Sequence, residues 1–195
     1  MSDDAARRAL RQALRTSRLA HPPEACERDS VHIQARLLGH PGWHRARTVA
    51  LYSPVRGEVR TGRLCAEALA AGKRVCFPQI VSGDRLLRFR EAAADGTLSS
   101  TGAFGIPSPD GAEVPLEAID LFVVPGLGFD VHGNRLGQGG GYYDVTLARA
   151  RPGALRVGLC FSFQLRDALP CIATDVRMDL VVTEAAVHEP GAGSE

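Results

Sequence analysis

The sequence predicts an α/β protein of three layers (α/β/α), in which helices cover both faces of a mainly parallel central sheet. Three observations lead to this fold. Short apolar runs alternate with segments of helical periodicity along most of the 195-residue chain. The strongest apolar run, 119–124, ends at Pro125, which has no N–H to donate to a central ladder. A glycine-dense segment follows directly, as expected where a ligand binds beyond the end of a parallel strand.

The first half of the chain begins with two predicted helices. Over residues 3–19, apolar side chains including Leu10 and Leu14 lie on one face and arginines lie on another. A second helical segment spans about 24–38. A further helix is predicted at 61–71. Short apolar runs predict strands on both sides of it, at 48–52, 74–77 and 86–89.

The second half of the chain contains the strand 119–124 and a predicted helix over about 142–149. Two further strands are predicted at 156–160 and 180–183. In parallel sheets, ligands gather beyond the carboxyl ends of the strands. We therefore expect the loops that follow three of the strands to face one cleft, namely those after Tyr52, Val124 and Cys160.

Length and charge favour one domain with small-molecule ligands. A chain of 195 residues buries roughly 70% of its extended-chain surface on folding. Residues 1–188 are predicted to form this domain, and 189–195 are predicted to be a disordered tail. The net charge of +1 gives no overall attraction to nucleic acid or to an anionic membrane, so neither is expected as a partner. A monomer or a weak homodimer is expected.

The cysteines and the lack of targeting segments indicate the compartment. Five scattered cysteines without a Cys-x-x-Cys pair argue against a disulfide framework or a zinc site. The sequence contains no signal-peptide core and no apolar stretch of the roughly 20 residues that a membrane span needs. These features predict a soluble, cytoplasmic protein.

The segment 133–144 combines the groups that a phosphate site needs. Glycines allow positive φ angles and bring bare main-chain amides close to a ligand. Arg135 adds a planar, permanently charged donor fork, and the N-terminus of the following helix favours anions. Asp144, in the first turn of that helix, could hold the Mg²⁺ that accompanies a triphosphate. On these features alone, an ordinary glycine-rich turn and an acid that complements the helix dipole are the alternative.

The two best-known nucleotide motifs are absent from the sequence. No Gly-x-Gly-x-x-Gly follows a strand. Lys73 is the only lysine, and it precedes Arg74 rather than a Ser or Thr, so there is no P-loop. A nucleotide site in this chain is therefore of another type.

The order of these residues resembles a known family. Val-Pro-Gly-Leu-Gly-Phe-Asp at 124–130, followed by Gly-Asn-Arg-Leu-Gly-Gln-Gly-Gly-Gly-Tyr-Tyr-Asp at 133–144, is similar to the signature of the 5-formyltetrahydrofolate cyclo-ligase (5,10-methenyltetrahydrofolate synthetase) family. The resemblance extends over nearly the whole chain. It includes an arginine-bearing first helix and the segments 52–58, 77–78, 104–107 and 175–179.

The resemblance implies ATP-dependent conversion of 5-formyltetrahydrofolate into 5,10-methenyltetrahydrofolate, with Mg²⁺ as cofactor and with release of ADP and phosphate. The formyl oxygen attacks the γ-phosphate of ATP, and the second folate nitrogen then closes the ring and expels phosphate. Such a reaction needs positioning and neutralisation of phosphate charge rather than a side-chain nucleophile.

The resemblance also implies a set of site residues. Those expected to bind ATP are Arg7, Arg11, Arg135, Leu136, Gly137, Gln138, Gly139, Gly140, Gly141, Tyr142 and Tyr143. Those expected to bind the folate are Ser53, Glu58, Gln138, Gly139, Gly140, Gly141 and Tyr142. Mg²⁺ is expected on Asp144 and Asp175, and the catalytic residues are expected to be Arg135, Tyr142 and Tyr143. Arg8 would replace Arg7 if the register slips by one residue.

Each of these residues has a simpler interpretation when it is taken alone. Glu58 would be a solvated loop acid, and the arginines of the first helix would be a solvated face. The paired tyrosines would pack, and Asp175 or Asp179 would cap a turn. His132, at the tip of the signature, is expected to be solvated rather than catalytic.

Two departures from the family pattern favour a second hypothesis. Gln138 stands where the family often has a bulky or basic residue, and Arg60 stands where an acid is usual. They are the only support for a non-catalytic folate- or nucleotide-binding protein on the same fold. A sugar-phosphate isomerase or an acyl-CoA transferase on a similar sheet has no motif in its favour.

Overall fold

The computed structural model describes residues 3–81, 83–98, 100–101 and 107–191. Five parts of the chain lie outside the described residues: residues 1–2, Ser82, residue 99, residues 102–106 and residues 192–195. They include most of the 104–107 family segment, part of the 82–108 loop that could close over a substrate, and the end of the predicted tail.

Five helices and thirteen strands are found in the described residues. The helices are α1 (Asp3–Leu19), α2 (Pro23–Leu38), α3 (Pro41–Arg45), α4 (Gly62–Ala70) and α5 (Tyr142–Leu147). The strands are β1 (Thr48–Ala50), β2 (Arg74–Ile80), β3 (Leu87–Glu91), β4 (Ser100–Thr101), β5 (Pro107–Ser108), β6 (Glu113–Val114), β7 (Leu121–Val124), β8 (Gly128–Asp130), β9 (Arg135–Leu136), β10 (Leu155–Leu159), β11 (Leu165–Arg166), β12 (Leu180–Val182) and β13 (Val187–His188).

A central eight-stranded sheet has the order β13-β12-β10-β7-β1-β2-β3-β6. Its inner strands, from β12 to β2, run parallel, which confirms the predicted mainly parallel sheet. The outer strands β13, β3 and β6 pair antiparallel. At this edge, β3 returns beside β2 as a hairpin, which agrees with the two consecutive strands predicted at 74–77 and 86–89.

Two apolar layers cover the sheet, as the pattern of the sequence predicted. On one face, α2, α3 and α4 pack against alternate strand residues such as Val49, Leu121 and Val157. On the other face, Leu147 of α5 and Phe129 of β8 pack against residues of β7. The second helical layer is thin, because α5 ends at Leu147 rather than near 149.

The glycine-dense segment is not simply a loop, which corrects the sequence prediction. It contains a short hairpin in which β8 pairs with β9, and β11 completes a small three-stranded sheet. Asp130, which is fully buried, accepts hydrogen bonds from the amides of His132, Asn134 and Leu169. These bonds fix the tip of the hairpin and tie it to the chain near residue 169.

Helix α1 packs on this small sheet rather than on the central one. Its residues Leu10 and Leu14 meet Leu127, Leu136 and Leu169 in a separate apolar cluster. The helix is thereby held beyond the carboxyl ends of the parallel strands, beside the segment in which the chemistry was predicted.

Two further features concern the helices and the cysteines. Among the described residues, no helix is long and apolar enough to cross a membrane. The five cysteines all carry free thiols, and only Cys171 is exposed.

Candidate active site

A row of arginines on α1 faces the candidate site. Arg7, Arg11, Arg15 and Arg18 are spaced by four, four and three residues, so they share one side of the helix. Arg7 and Arg18 are buried, and the other two are partly buried. They do not form a solvated face, because each contacts a different part of the site.

The first part, which we call the aspartate end, comprises Arg7, Arg11, Arg135, Asp144 and Asp175. The guanidinium of Arg7 donates from Nη1 to Oδ2 of Asp175 at 2.6 Å and from Nη2 to Oδ1 at 3.1 Å. Both side chains are only 8% exposed. The Nη1 atom also donates to the carbonyl of Pro170 at 2.7 Å.

A second arginine–aspartate pair lies next to the first. Nη2 of Arg135 donates to Oδ2 of Asp144 at 2.9 Å, and the guanidinium lies 5.5 Å from the ring centroid of Tyr143. The amide of Val176 approaches Oδ1 of Asp144 at 3.5 Å. Because Val176 follows Asp175, this contact ties Asp144 to the segment that carries Asp175.

Two other candidate site residues, Asp179 and Arg8, do not belong to the aspartate end, because each forms an ion pair elsewhere. Asp179 accepts from Nε and Nη2 of Arg156, both at 2.9 Å. Arg8 pairs with Asp4 on the exposed side of α1. The register that uses Arg7, and not Arg8, is therefore the one in the structure.

The aspartate end suits Mg²⁺ shared with phosphates. No group of three His, Cys, Asp or Glu side chains that could hold a metal occurs in the described part of the chain. Mg²⁺ commonly uses one or two carboxylates and completes its octahedron with water and substrate phosphate. Among the described residues, Oδ1 of Asp144 has only the long contact with Val176 and could accept a cation, whereas both oxygens of Asp175 accept from Arg7.

The glycines of the signature bring main chain and arginines close together. Nε of Arg11 donates to the carbonyl of Gly137 at 3.1 Å. A Cβ atom on Gly137 would lie 2.6 Å from Nη1 of Arg135, so only glycine leaves Arg135 in place. Gly141 caps α5 with a φ of +74°. The helix that follows has only six residues, so its dipole contributes less to anion binding than the sequence predicted.

Two of the predicted ligand-binding residues have other contacts. The side chain of Leu136 lies in the apolar cluster beneath α1, so only its main chain is available to a nucleotide. Oε1 of Gln138, on the exposed loop, accepts from Nη2 of Arg15 at 3.0 Å. Arg15 was not predicted to belong to the site.

The second part, the glutamate end, comprises Glu58 and Arg18. Oε1 of Glu58 accepts from Nη1 of Arg18 at 3.3 Å, and Oε2 accepts from the amide of Val55 at 3.1 Å. Burial raises the pKa of the Glu58 carboxyl, and the charge of Arg18 is the largest influence that opposes this rise. Glu58 is therefore not a solvated loop acid.

Tyr143 connects the two ends. Burial raises the pKa of its hydroxyl, the charge of Glu58 raises it further, and the charge of Arg135 lowers it. The tyrosine therefore lies within the electrostatic reach of both ends. The ring of Tyr142 covers Gly140, where a Cβ atom would lie 2.9 Å from the ring.

Comparisons over the whole chain show which family it belongs to. The sequence model of the 5-formyltetrahydrofolate cyclo-ligase family matches residues 3–184. The chain belongs to this family. Cyclo-ligases of Escherichia coli (strain K12) and Mycolicibacterium smegmatis are 31% identical over 184 residues and 32% identical over 180 residues. The alignments cover 90% and 89% of this chain and 99% and 91% of those proteins.

Solved structures of the cyclo-ligase family have the same fold. The 5,10-methenyltetrahydrofolate synthetase of Aquifex aeolicus aligns with a TM-score of 0.85 and 33% identity, covering 97% of this chain and 95% of that one. The synthetase of Mycoplasma pneumoniae aligns with a TM-score of 0.75 and 25% identity, covering 94% and 99%. The predicted family, the predicted fold and the predicted enzyme class, a ligase, are confirmed.

The remaining predicted residues take positions near the cyclo-ligase site or at the surface. The hydroxyl of Ser53 donates to the carbonyl of Pro107 at 2.8 Å and so anchors the start of β5. Arg60 pairs with Glu27 of α2 at 3.5 Å, with both side chains largely exposed. His132 is exposed at the hairpin tip, where it was expected.

Sequence reasoning missed Arg15 and Arg18 as site residues. The signal was present, because the row of arginines on α1 continues through both of them at helical spacing. Their partners, Gln138 and Glu58, stand 123 and 40 residues away in the chain. Only the packing of α1 on the small sheet shows that the whole row faces the site.

Proposed function

We propose that this chain converts 5-formyltetrahydrofolate into 5,10-methenyltetrahydrofolate and couples ring closure to cleavage of ATP into ADP and phosphate. One observation carries the proposal. A carboxylate suited to a heterocycle and an arginine-rich, glycine-rich segment suited to polyphosphate lie side by side, because Arg18 and Arg135 donate to the adjacent carbonyls of Gly126 and Pro125. The names of the relatives support the choice of substrate.

The aspartate end has the net positive charge that favours binding of a triphosphate. Three arginines stand against two aspartates, so the end carries an excess of positive charge. Burial and the neighbouring charge of Arg7 lower the pKa of Arg11, which reflects this crowding of cations. Asp144 and Asp175 would hold Mg²⁺, which neutralises phosphate charge when it is bound.

The reaction then proceeds in two displacements. The formyl oxygen attacks the γ-phosphorus, and the bond to ADP breaks. The second folate nitrogen attacks the activated formyl carbon, and phosphate leaves with the former formyl oxygen. That nitrogen loses its proton, which completes the ring and balances the atoms.

The chain's own groups position the reactants and stabilise charge in this scheme. Arg135 and Arg11, together with the amides of the glycine segment, would stabilise the charge of the transferred phosphate. Both oxygens of Glu58 can accept further hydrogen bonds, which suits adjacent N–H groups of the folate ring. Tyr142, Ser53, Gln138 and residues 139–141 would line the rest of the folate site.

We also infer a cytoplasmic protein that acts as a monomer or a weak homodimer. Five free thiols support a reducing compartment. The ligands of the proposed site are small molecules, so a macromolecular partner is not required for activity.

The first test is the near-ultraviolet absorbance of the methenyl product. Purified protein is mixed with 5-formyltetrahydrofolate, ATP and Mg²⁺, and parallel mixtures omit either ATP or the metal. We expect the product band to grow only in the complete mixture. Folded protein that binds ATP but gives no band would support the non-catalytic binding protein, which the departures at Gln138 and Arg60 favour.

A further inference from the structure

Arg18 is a fully buried arginine, with a side chain only 1% exposed. Its Nη1 atom donates to Oε1 of Glu58 at 3.3 Å and to the carbonyl of Gly126 at 3.2 Å. Its Nε atom has no hydrogen-bond partner among the described residues. A buried guanidinium is costly, and α1 carries it to the one carboxylate of the glutamate end.

We propose that Arg18 is a positioning residue for the folate substrate, which holds the Glu58 carboxylate ionised and fixes its orientation toward the bound ring. This inference rests on the proposed function, because it takes Glu58 as the ligand of the folate heterocycle. Arg18 itself does not touch the reacting atoms, since it acts through Glu58.

The geometry supports orientation as the first role. One carboxylate oxygen is held from α1 by Arg18, and the other is held from the preceding turn by the amide of Val55. Two bonds from different elements fix the rotation of the carboxylate plane. A carboxylate accepts about four hydrogen bonds, so about two acceptor sites are left for substrate N–H groups.

The end of α1 is also docked against the turn that carries Glu58. Gly57 has a φ of +74°, and a Cβ atom there would lie 3.2 Å from the carbonyl oxygen of Arg18. On the other side, the thiol of Cys26 donates to the carbonyl of Glu58 at 3.9 Å. The helix and the turn therefore keep a fixed relation, and a change at Arg18 is transmitted directly to the carboxylate.

The surrounding charges support ionisation as the second role. The titratable and charged groups that face Glu58 are Arg18 of α1, Arg56 of the turn, Tyr52 after β1 and Tyr143 of α5. Burial raises the pKa of Glu58, and Arg18 is the strongest influence against it. Only the exposed Arg56 would remain as a cation if Arg18 were neutralised.

The test compares Arg18→Gln, Arg18→Lys, Glu58→Gln and the double variant with wild type. Arg8→Gln is the matched control, because Arg8 lies on the exposed side of the same helix, where it pairs with Asp4. For each protein, KM values for 5-formyltetrahydrofolate and for ATP are measured between about pH 6 and 8.5. Calorimetry of folate binding without ATP, in two buffers of different ionisation enthalpy, counts the protons released.

We expect Arg18→Gln to raise the folate KM roughly 10-fold or more, since bonds to a charged group are involved. The KM for ATP should stay near the wild-type value. Folate affinity should begin to fall at a higher pH than in wild type, because Glu58 now takes up a proton more readily. Over that pH range, folate binding should release a proton that wild type does not release. Arg18→Lys should restore the wild-type pH profile.

Several results would overturn the proposal. They are an unchanged folate KM in Arg18→Gln, an equal rise of both KM values, or a double variant that binds folate more weakly than Glu58→Gln alone. If Arg18→Gln does not fold, the folate and ATP KM values are compared between Arg18→Lys and the double variant instead. The double variant lacks both buried charges, and the same results would overturn the proposal. A wild-type protein without turnover would instead refute the proposed function.

Discussion

At the aspartate end, two carboxylates face three arginines through short contacts of 2.6 and 2.9 Å. At the glutamate end, one carboxylate faces one buried arginine at 3.3 Å. The first end carries excess positive charge, and the second is balanced. The difference follows the expected ligands, because a polyphosphate brings negative charge into the site whereas the folate ring brings neutral N–H donors.

The two ends also differ in what their ion pairs do for the fold. The pairs at the aspartate end hold each carboxylate against an arginine, Asp175 against Arg7 and Asp144 against Arg135. The pair at the glutamate end is deeper, and there the desolvation of the carboxyl outweighs the attraction of Arg18, since the pKa of Glu58 is still raised. A substitution of the carboxylate at the aspartate end should therefore lower turnover with little change in stability. A substitution of the carboxylate at the glutamate end should raise stability slightly and weaken folate binding.

The largest effect is expected from Asp144→Asn at the aspartate end. Loss of this carboxylate removes a proposed Mg²⁺ ligand and should lower kcat roughly 100- to 1,000-fold, or about 3–4 kcal/mol of transition-state stabilisation. Arg135 keeps its contacts with Tyr143 and the carbonyl of Pro125, so the fold should change little. Turnover and urea unfolding are measured on the same preparation. An equal loss of both would make Asp144 a structural residue.

Gly137→Ala should have the next largest effect. The added Cβ atom would lie 2.6 Å from Nη1 of Arg135 and would displace that side chain from Asp144. A displacement of this kind should lower turnover on the order of 10- to 100-fold. Gly62→Ala is the matched control, because a Cβ atom there meets nothing within 4 Å.

The control in α4 should keep full activity and should gain less than about 1 kcal/mol of unfolding free energy. The measurement is kcat for both variants, with circular dichroism to verify folding. Wild-type turnover in Gly137→Ala would mean that the close approach of Gly137 to Arg135 has no role in catalysis.

Local patterns were sufficient to predict much of this protein. The predicted α1, 3–19, agrees with the structure because its apolar stripe and its arginines repeat at helical spacing. The end of β7 at Val124 followed from Pro125, and α5 begins at Tyr142, where the helix was predicted to begin. These features depend on neighbouring residues alone.

Features that depend on tertiary contacts were not predicted. Strands β8 and β9 are three and two residues long and lie in a glycine-dense segment, where local propensity argues against strands. They form because α1 covers them and Asp130 ties their tip. The role of Arg18 depends in the same way on a partner 40 residues away.

The smallest effect tests the stability cost of the glutamate end. The pKa of Glu58 is raised in the folded protein above its ordinary value of 4.5. The folded state therefore favours the protonated form, and this contribution to the unfolding free energy is lost as pH rises through the raised pKa. Glu58→Gln resembles the protonated form at every pH. Above that pKa it should be slightly more stable than wild type, although it binds folate more weakly.

The measurement is urea unfolding of both proteins from about pH 4.5 to 8. We expect the difference in unfolding free energy between Glu58→Gln and wild type to grow with pH and to approach its minimum near pH 4.5. A variant that is less stable than wild type at pH 8 would mean that the Arg18–Glu58 pair stabilises the fold. The aspartate end, where removal of the Asp144 carboxylate is expected to lower turnover and not stability, would then differ from the glutamate end only in its effect on turnover.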